Sequence, residues 1–407
     1  MSSRARQITI GVACFLVILV DGYDTTSIAF VAPALIAEWG ISPVSLTPTF
    51  MMTSLGAVVG YLACGPLAAR WGSRRVIIAS VVWFGLCSLL TALVDSITVL
   101  AALRFITAVG LGAAVPTAIA LASNHAPERL RAGMTIAVAT GLPMGSAFGA
   151  TLGSILIAEY GWPSVFIVGG VVPLLLMPAL MLVLPESEQL GHGQEAGNAP
   201  RIDRPVASIR SLFSASFATS TGFIWAIAFL NFLNTYAFLF WLPTLLASSG
   251  FAPSQASLGA ATFGFGGVLG NLAMLFVAAR FGTQQLLAAA GLLAVVCMLL
   301  LAHADAAENV ALLLIGGIGA GLTAGCVGPA ALSVAIYPTG LRTTGIGCAA
   351  ALGRIGSIGG PALGGALLAA GWGVDSIITF GILPSIAAIV IVLSLQRSTA
   401  RCARSAR

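Results

Sequence analysis

The sequence predicts an all-α membrane protein whose twelve transmembrane helices form two six-helix bundles. Hydrophobic residues make up 58% of its 407 residues and charged residues only 8%, and the mean hydropathy is +1.02. Apolar runs of about 20 residues, the length that crosses roughly 30 Å of hydrocarbon as a helix, recur along nearly the whole chain. Two segments of the first half also recur in the second half. A chain this hydrophobic and this poor in charge is not a set of soluble domains.

Twelve apolar runs are the predicted spans. They cover about residues 8–36, 49–69, 75–94, 98–123, 133–158, 163–184, 217–247, 256–279, 284–303, 308–332, 343–369 and 374–396. The first and the seventh are long enough to be tilted or broken. No small-residue cleavage site follows the first run, so we expect it to remain as a helix and not to be removed as a signal peptide.

The arginines predict the orientation of the chain. All 18 basic residues are Arg, and all except Arg104 and Arg354 lie in the two termini or in the even-numbered connections. The opposite connections carry acids instead: Glu38, Asp95, Glu159, Asp305, Glu308 and Asp375. Because positive residues mark the cytoplasmic side, both termini are expected in the cytoplasm. The net charge of +5 is therefore a topology signal, and no nucleic-acid partner is expected.

Two internal matches indicate a duplication. AARWGSRR at 68–75 recurs as AARFGTQQ at 278–285, and RAGMTIAVATGLPMGSAFG at 131–149 aligns with RTTGIGCAAALGRIGSIGG at 342–360. The offsets are 210 and 211 residues. Six helices in each repeat give the two halves parallel topology, and such halves can rock about a site held between them.

The domain division follows from the longest polar interval, about residues 185–215, which is rich in Gly, Pro and charge. It predicts an N-terminal bundle over 1–190, a cytoplasmic linker over 191–212 and a C-terminal bundle over 213–407. This architecture favours a transporter, and nothing in the sequence requires more than a monomer in the lipid bilayer.

Four ionisable residues remain at membrane depth: Asp21, Asp24, Arg104 and Arg354. Each charge near a helix centre costs about 2.5–3.5 kcal/mol on insertion scales, so these side chains must face a cavity or one another.

Asp21 and Asp24 are expected on one side of the first helix, since positions i and i+3 lie about 60° apart and about 4.5 Å along the axis. Two ionised carboxylates so close repel each other, which favours proton uptake by one of them. The pair is therefore a candidate for proton coupling. The alternative is that one or both form a structural bridge to Arg104. Gly22 between them would let a helix or a ligand approach.

Arg104 and Arg354 are candidates for substrate binding. A guanidinium keeps its charge and grips a carboxylate as a fork, from the protein or from an anionic substrate. With two acids in the first half only, at least one arginine is left for an anion. Internal neutralisation or snorkelling is the alternative.

Segment 223–243, FIWAIAFLNFLNTYAFLFWLP, combines aromatic rings with amides. Asn231, Asn234 and Tyr236 suit a flat ring with polar substituents, together with Trp225, Phe238, Phe240 and Trp241. Packing and an interfacial aromatic belt are the alternative explanation.

Enzymatic chemistry has no support in the sequence. The glycine-rich stretches at 110–112, 264–270 and 317–321 follow no strand, and a chain without lysine has no phosphate-binding P-loop. They indicate close helix contacts. The seven cysteines follow no CxxC or Cys/His pattern, so neither a metal nor a cofactor is expected.

Several of these segments resemble a known family. GPLAARWGSRRVI at 65–77 is similar to the signature of the major facilitator superfamily, and LRFITAVGLGA at 103–113 is similar to its fourth-helix arginine motif. Within it, four segments resemble the aromatic acid/proton symporter family: DGYDTTSIAFVAPAL, LPES at 184–187, WLPTLLASSGF and YPTGLRTTGIG.

The resemblance implies uptake of a hydroxybenzoate or phenylpropanoate with protons, across the inner membrane of a bacterium, for ring degradation. It implies functional roles for the residues that match Asp21, Asp24, Arg104, Arg342 and Arg354. It also implies a gating role for a further set of residues: Gly65, Arg70, Gly72, Arg74, Arg75 and Arg342.

Two features depart from the family pattern. Ala69 stands where the signature has an acid, which leaves the charge cluster of the gate incomplete. GSIGGPALGG at 356–365 resembles the glycine-proline pattern of proton antiporters, but in helix eleven, where close helix packing explains it better.

The sequence therefore predicts a symporter in which the anion docks on Arg104 or Arg354 and a proton binds Asp24 or Asp21. The alternatives are a proton-coupled antiporter that exports drugs or metabolites and a transporter-like sensor.

Overall fold

The computed structural model describes residues 3–127, 130–186, 209–214, 217–303 and 307–405, and these residues are helical almost throughout. The helices are α1 Ser3–Trp39, α2 Thr47–Trp71, α3 Ser73–Thr91, α4 Ile97–His125, α5 Arg131–Ala139, α6 Gly141–Tyr160, α7 Pro163–Val183, α8 Ile209–Leu212, α9 Ala218–Ser248, α10 Pro253–Phe281, α11 Thr283–His303, α12 Glu308–Ile336, α13 Thr339–Ala369, α14 Val374–Phe380 and α15 Ile382–Ser405. Within these described ranges, twelve segments are long and apolar enough to cross a membrane. The predicted fold class is confirmed.

The two longest predicted spans are unbroken helices. α1 has 37 residues and contains Pro33, and α9 has 31 residues and contains Pro243. At 1.5 Å per residue α1 is about 55 Å long, well beyond the hydrocarbon thickness. These two spans were expected to be either tilted or broken. Neither helix is broken within the described residues.

Two other spans, predicted as single helices, are interrupted. The fifth span divides into α5 and α6 at Thr140, and the twelfth into α14 and α15 at Gly381. A proline follows three residues after each interruption, at Pro143 and Pro384. Proline has no N–H to donate to the carbonyl four residues before it, so the helical ladder is interrupted at that point.

The chain divides into two compact units. The first comprises Met1–His192 together with Leu239–Phe265. In it, α2 packs directly on the backbone of α4, because a Cβ added at Gly60 would overlap the carbonyl oxygen of Val109. α1 packs equally closely on α6, where a Cβ at Gly145 would overlap the carbonyl of Leu19. Small residues hold membrane helices together by such close backbone approach.

The second unit comprises Gly193–Phe238 and Gly266–Arg407. Its helix contacts are of the same kind. α10 packs on α12, where a Cβ at Gly270 would overlap the carbonyl of Ala320. α9 packs on α13, where a Cβ at Gly356 would overlap the carbonyl of Phe229. The predicted linker at 191–212 falls mostly on residues 187–208, which lie outside the described residues.

The described glycines with positive φ support the duplication. There are six of them, and they form three pairs, each 210 residues apart: Gly40 and Gly250, Gly72 and Gly282, Gly161 and Gly371. The close contacts repeat too, since Gly60·Val109 in the first unit corresponds to Gly270·Ala320 in the second. The two halves therefore share both their turns and their helix contacts.

The contact between α2 and α4 gives a first prediction. Gly60→Ala should lower the unfolding temperature in detergent, because the added methyl group meets the backbone at Val109. Gly65→Ala is the matched control on the same helix, since a Cβ there meets nothing within 4 Å. Alanine is otherwise better than glycine in a helix by about 1 kcal/mol. Equal unfolding temperatures for the two variants would contradict the packing.

Candidate functional site

A buried ion pair between α1 and α4 is the central polar feature of the first unit. Arg104 Nη1 donates to Asp24 Oδ1 at 2.7 Å, and Arg104 Nη2 donates to the backbone oxygen of Asp24 at 2.8 Å. Both side chains are 0% exposed. The guanidinium also lies over the Phe166 ring of α7, with Cζ 5.7 Å from the ring centroid. The structural bridge to Arg104 that the sequence left open therefore exists for Asp24.

Small residues around α1 make this pairing possible. A Cβ at Gly22 would overlap the backbone of Leu142 in α6, so α1 lies against α6 at the same turn, on the face opposite Asp24. On the other side, a Cβ at Gly169 of α7 would lie 3.4 Å from Asp24 Oδ2. The hydroxyl of Tyr23 donates to the carbonyl of Val165 at 2.8 Å and ties α1 to α7. The carboxylate therefore lies between α1, α4 and α7.

Two atoms of the ion pair are unused. Among the described residues, no hydrogen-bond partner reaches Asp24 Oδ2 or Arg104 Nε, although both atoms are buried. Buried polar atoms usually have partners, so an exception needs an explanation. Here Oδ2 is able to carry a proton, and Nε–H is able to donate to a bound anion.

Asp21 lies in a different environment from Asp24. It is 2% exposed, and its Oδ1 accepts a hydrogen bond from Thr25 Oγ1 at 3.3 Å. Both predicted acids are therefore buried, as their position in an apolar span requires, but the described salt bridge to Arg104 is made by Asp24.

The second unit contains a cluster around Arg354. Arg354 Nη1 lies 3.4 Å from the hydroxyl of Tyr236, and its Cζ lies 5.9 Å from the centroid of the Phe232 ring. The rings of Phe232 and Tyr236, four residues apart on α9, stack at 6.0 Å with an interplanar angle of 10°. Arg354 and Tyr236 were both predicted as substrate-binding residues, and the structure brings them together. Phe232 was missed.

The two predicted amides face different neighbours. Asn234 donates to the carbonyl of Gly381 at 2.7 Å and lies 2.9 Å from Ser385 Oγ, at the interruption between α14 and α15. Asn231 donates to the carbonyl of Ile227 at 2.9 Å and lines a cavity with room for about one water molecule. The structure does not bring the amides to the Arg354 cluster through any described hydrogen bond.

The other aromatic residues of segment 223–243 are occupied by packing. Trp225 packs edge-on against Phe213 at 5.1 Å, and the Phe238 ring lies against Gly381. In the first unit, Phe240 and Trp241 both contact Phe50 at ring distances of 5.0 Å. For these four residues the packing alternative explains the position.

The predicted gating segment joins the turn between α2 and α3 to the end of α7. Gly72 has φ +82°, which favours glycine, and Arg74 forms a 3.1 Å salt bridge with Glu186 and donates to the carbonyl of Met181. Arg70 and Arg75 are exposed, as are Gly65 and Ala69. The side chain of Arg342 lies outside the described residues.

The offset of 210 residues shows what the sequence could have revealed. Asp21 corresponds to Asn231, and Asp24 corresponds to Asn234. The paired acids of the first half are therefore paired amides in the second, a neutral copy of the same positions. Aligning the two repeats through the first helix of each half would have identified this relation without a structure.

The buried ion pair gives a second prediction. Asp24→Asn leaves the buried guanidinium without its counter-ion, and breaking such a pair costs about 3–5 kcal/mol. We expect a clear fall of the unfolding temperature in detergent without substrate. The double change Asp24→Asn with Arg104→Gln should recover most of it, because no uncompensated charge remains. Asp95→Asn, an exposed acid, is the control. Additive losses in the double variant would contradict the pairing.

Comparisons with known proteins show the family of the chain. A sequence model of the Major Facilitator Superfamily matches residues 14–252 and residues 224–402. The chain is 34% identical over 404 residues to the 4-hydroxybenzoate transporter PcaK of Pseudomonas aeruginosa, covering 93% of this chain and 90% of the relative. It is 37% identical over 409 residues to the 3-(3-hydroxy-phenyl)propionate transporter of Escherichia coli, covering 99% and 98%.

A solved structure supports the fold. The inward open conformation of the xylose transporter XylE from E. coli has a TM-score of 0.73 at 18% identity and covers 95% of each chain. The family match spans most of the sequence, and the relatives exceed 30% identity over almost their whole length. The chain belongs to the Major Facilitator Superfamily.

Proposed function

We propose that this protein is a secondary active transporter that imports an aromatic carboxylic acid together with protons. The observation that carries the proposal is the buried Asp24–Arg104 pair, one group that binds a proton and one that binds an anion. The relatives support the substrate class, since their names give 4-hydroxybenzoate, 3-(3-hydroxy-phenyl)propionate and gallate as the molecules that they transport.

The ion pair links the proton to the anion through charge balance. Asp24 and Arg104 together carry no net charge, and both are buried. A proton on Asp24 Oδ2 leaves the guanidinium uncompensated in an apolar bundle, which is costly. The carboxylate of a substrate on Arg104 restores the balance. Proton and anion are therefore bound favourably only together.

Arg354 is the second candidate for the anion. Its guanidinium lies beside the hydroxyl of Tyr236 and the ring of Phe232, so a carboxylate there would find a cation, a hydroxyl donor and aromatic surface. No acidic residue occurs in the interior of the second six spans. This half is therefore suited to an anion and the first half to a proton.

The proposed direction of transport depends on the membrane in which the protein lies. The arginine distribution favours cytoplasmic termini, and we place the protein in the inner membrane of a bacterium, where protons enter the cytoplasm down their gradient. A proton symporter in this membrane imports its substrate, because the gradient drives protons into the cytoplasm. We propose that it acts as a monomer, because each unit contains its own candidate residues.

Uptake into proteoliposomes tests the function. An inward-directed pH gradient should drive accumulation of labelled 4-hydroxybenzoate or 3-(3-hydroxyphenyl)propionate, and an uncoupler should abolish it. A proton antiporter would release the acid under the same gradient. Failure to transport any acid of a panel of benzoates and phenylpropanoates would contradict the proposed function.

Asp24→Asn tests whether Asp24 carries the coupled proton. It resembles the protonated state permanently, so we expect it to lose gradient-driven accumulation but to keep counterflow exchange of the acid, which needs no net proton movement. Asp21→Asn, measured in parallel, tests the other acid. If Asp24→Asn still concentrates substrate against its gradient, the coupling proton binds elsewhere.

Arg354→Lys tests the anion site. Lysine keeps the charge but loses the planar fork that grips a carboxylate. We expect KM for the aromatic acid to rise about ten-fold, the loss of roughly 1.4 kcal/mol of binding, and the unfolding temperature to change little. Arg280→Lys, at the exposed end of α10, is the control. An unchanged KM would place the carboxylate on Arg104.

A further inference from the structure

The two halves differ at one equivalent helix contact. In the first half, Gly22 of α1 lies against Leu142 of α6, and in the second half Phe232 of α9 lies against Gly353 of α13. Phe232 follows Gly22 by 210 residues and Gly353 follows Leu142 by 211, the same offsets as in the other repeats. The small and the large residue have therefore exchanged helices.

This exchange creates space for a ring in the second half. A Cβ at Gly353 would lie 2.9 Å from Cδ2 of Phe232, so any larger residue there would displace the ring. In the first half the same helix contact is filled by backbone, because a Cβ at Gly22 would overlap Leu142. The aromatic ring of Phe232 is thus held by a glycine of the facing helix.

The Phe232 ring lies beside the cation of Arg354. Arg354 follows Gly353 directly, and its Cζ lies 5.9 Å from the Phe232 centroid, while Tyr236 stacks on the same ring. Phe232 and Arg354 are both half-buried, unlike Phe238, Phe240 and Trp241, which are buried in packing contacts. Among the aromatic residues described on α9, Phe232 therefore combines contact with the cation and remaining exposed surface.

We propose that Phe232 is a specificity-determining residue that selects an aromatic ring attached to the carboxylate bound by Arg354. The ring of a benzoate bound there through its carboxylate lies within roughly 7 Å of the guanidinium carbon. The Phe232 ring lies 5.9 Å from the same atom, so the two rings can meet when both lie on the same side of Arg354. Aromatic pairs attract at centroid distances of about 4.5–7 Å, and a saturated ring of the same size lacks this interaction. The inference rests on the proposed function and refines its substrate class.

The test compares an aromatic acid with its saturated counterpart. KM is measured in proteoliposomes for 4-hydroxybenzoate and for trans-4-hydroxycyclohexanecarboxylate, which differ in the ring alone. Phe232→Leu should raise KM for the aromatic acid about three- to ten-fold and change KM for the saturated acid by less than about two-fold. Phe232→Tyr keeps the ring and should keep the wild-type ratio. Phe276→Leu, at a 72% exposed ring of α10, is the control.

The outcomes separate the inference from the function on which it rests. If wild type transports the aromatic acid and Phe232→Leu leaves the ratio of the two KM values unchanged, Phe232 does not select the ring. If the variant raises both KM values equally, its role is structural and the inference is overturned. If wild type transports neither this acid nor 3-(3-hydroxyphenyl)propionate, the proposed function fails and the inference with it. Should Phe232→Leu not fold, Phe232→Met, of similar volume, makes the same comparison.

Discussion

The structure depends on two opposite charges kept together inside an apolar bundle. Arg104 holds Asp24 by its carboxylate and by its backbone oxygen, so α4 is tied to both the side chain and the main chain of α1. Separating the two groups in the membrane costs more than either hydrogen bond, because each would remain as a buried charge. Any rearrangement that separates these two groups must therefore supply another proton or another anion, which is the physical basis of the coupling that we propose.

The duplicated half uses the same positions without charge. Asn231 and Asn234 stand where the first half has Asp21 and Asp24, and Asn234 binds the backbone at the interruption between α14 and α15. An amide donates and accepts hydrogen bonds at membrane depth without the insertion cost of an ion. The duplication thus preserved helix contacts and turns, while the charged and aromatic residues diverged. The candidate functional residues lie where the repeats differ.

Much of the fold was accessible from the sequence. The spans, their number and the repeat follow from hydropathy and from local matches, since a lipid-exposed helix must be apolar along its length. The interruptions at Thr140 and Gly381 were missed, although Pro143 and Pro384 signal them, because proline inside an apolar run elsewhere leaves the helix continuous, as Pro33 does in α1.

Hydropathy alone shows that Asp21, Asp24, Arg104 and Arg354 must be sheltered from lipid, because an isolated charge is too costly there. It could not determine their partners. The folded chain shows that Arg104 binds Asp24 and that Arg354 lies with Tyr236 and Phe232. The reason is physical: hydropathy is a property of each segment alone, whereas a contact depends on which glycines let two helices approach and at which turn they meet.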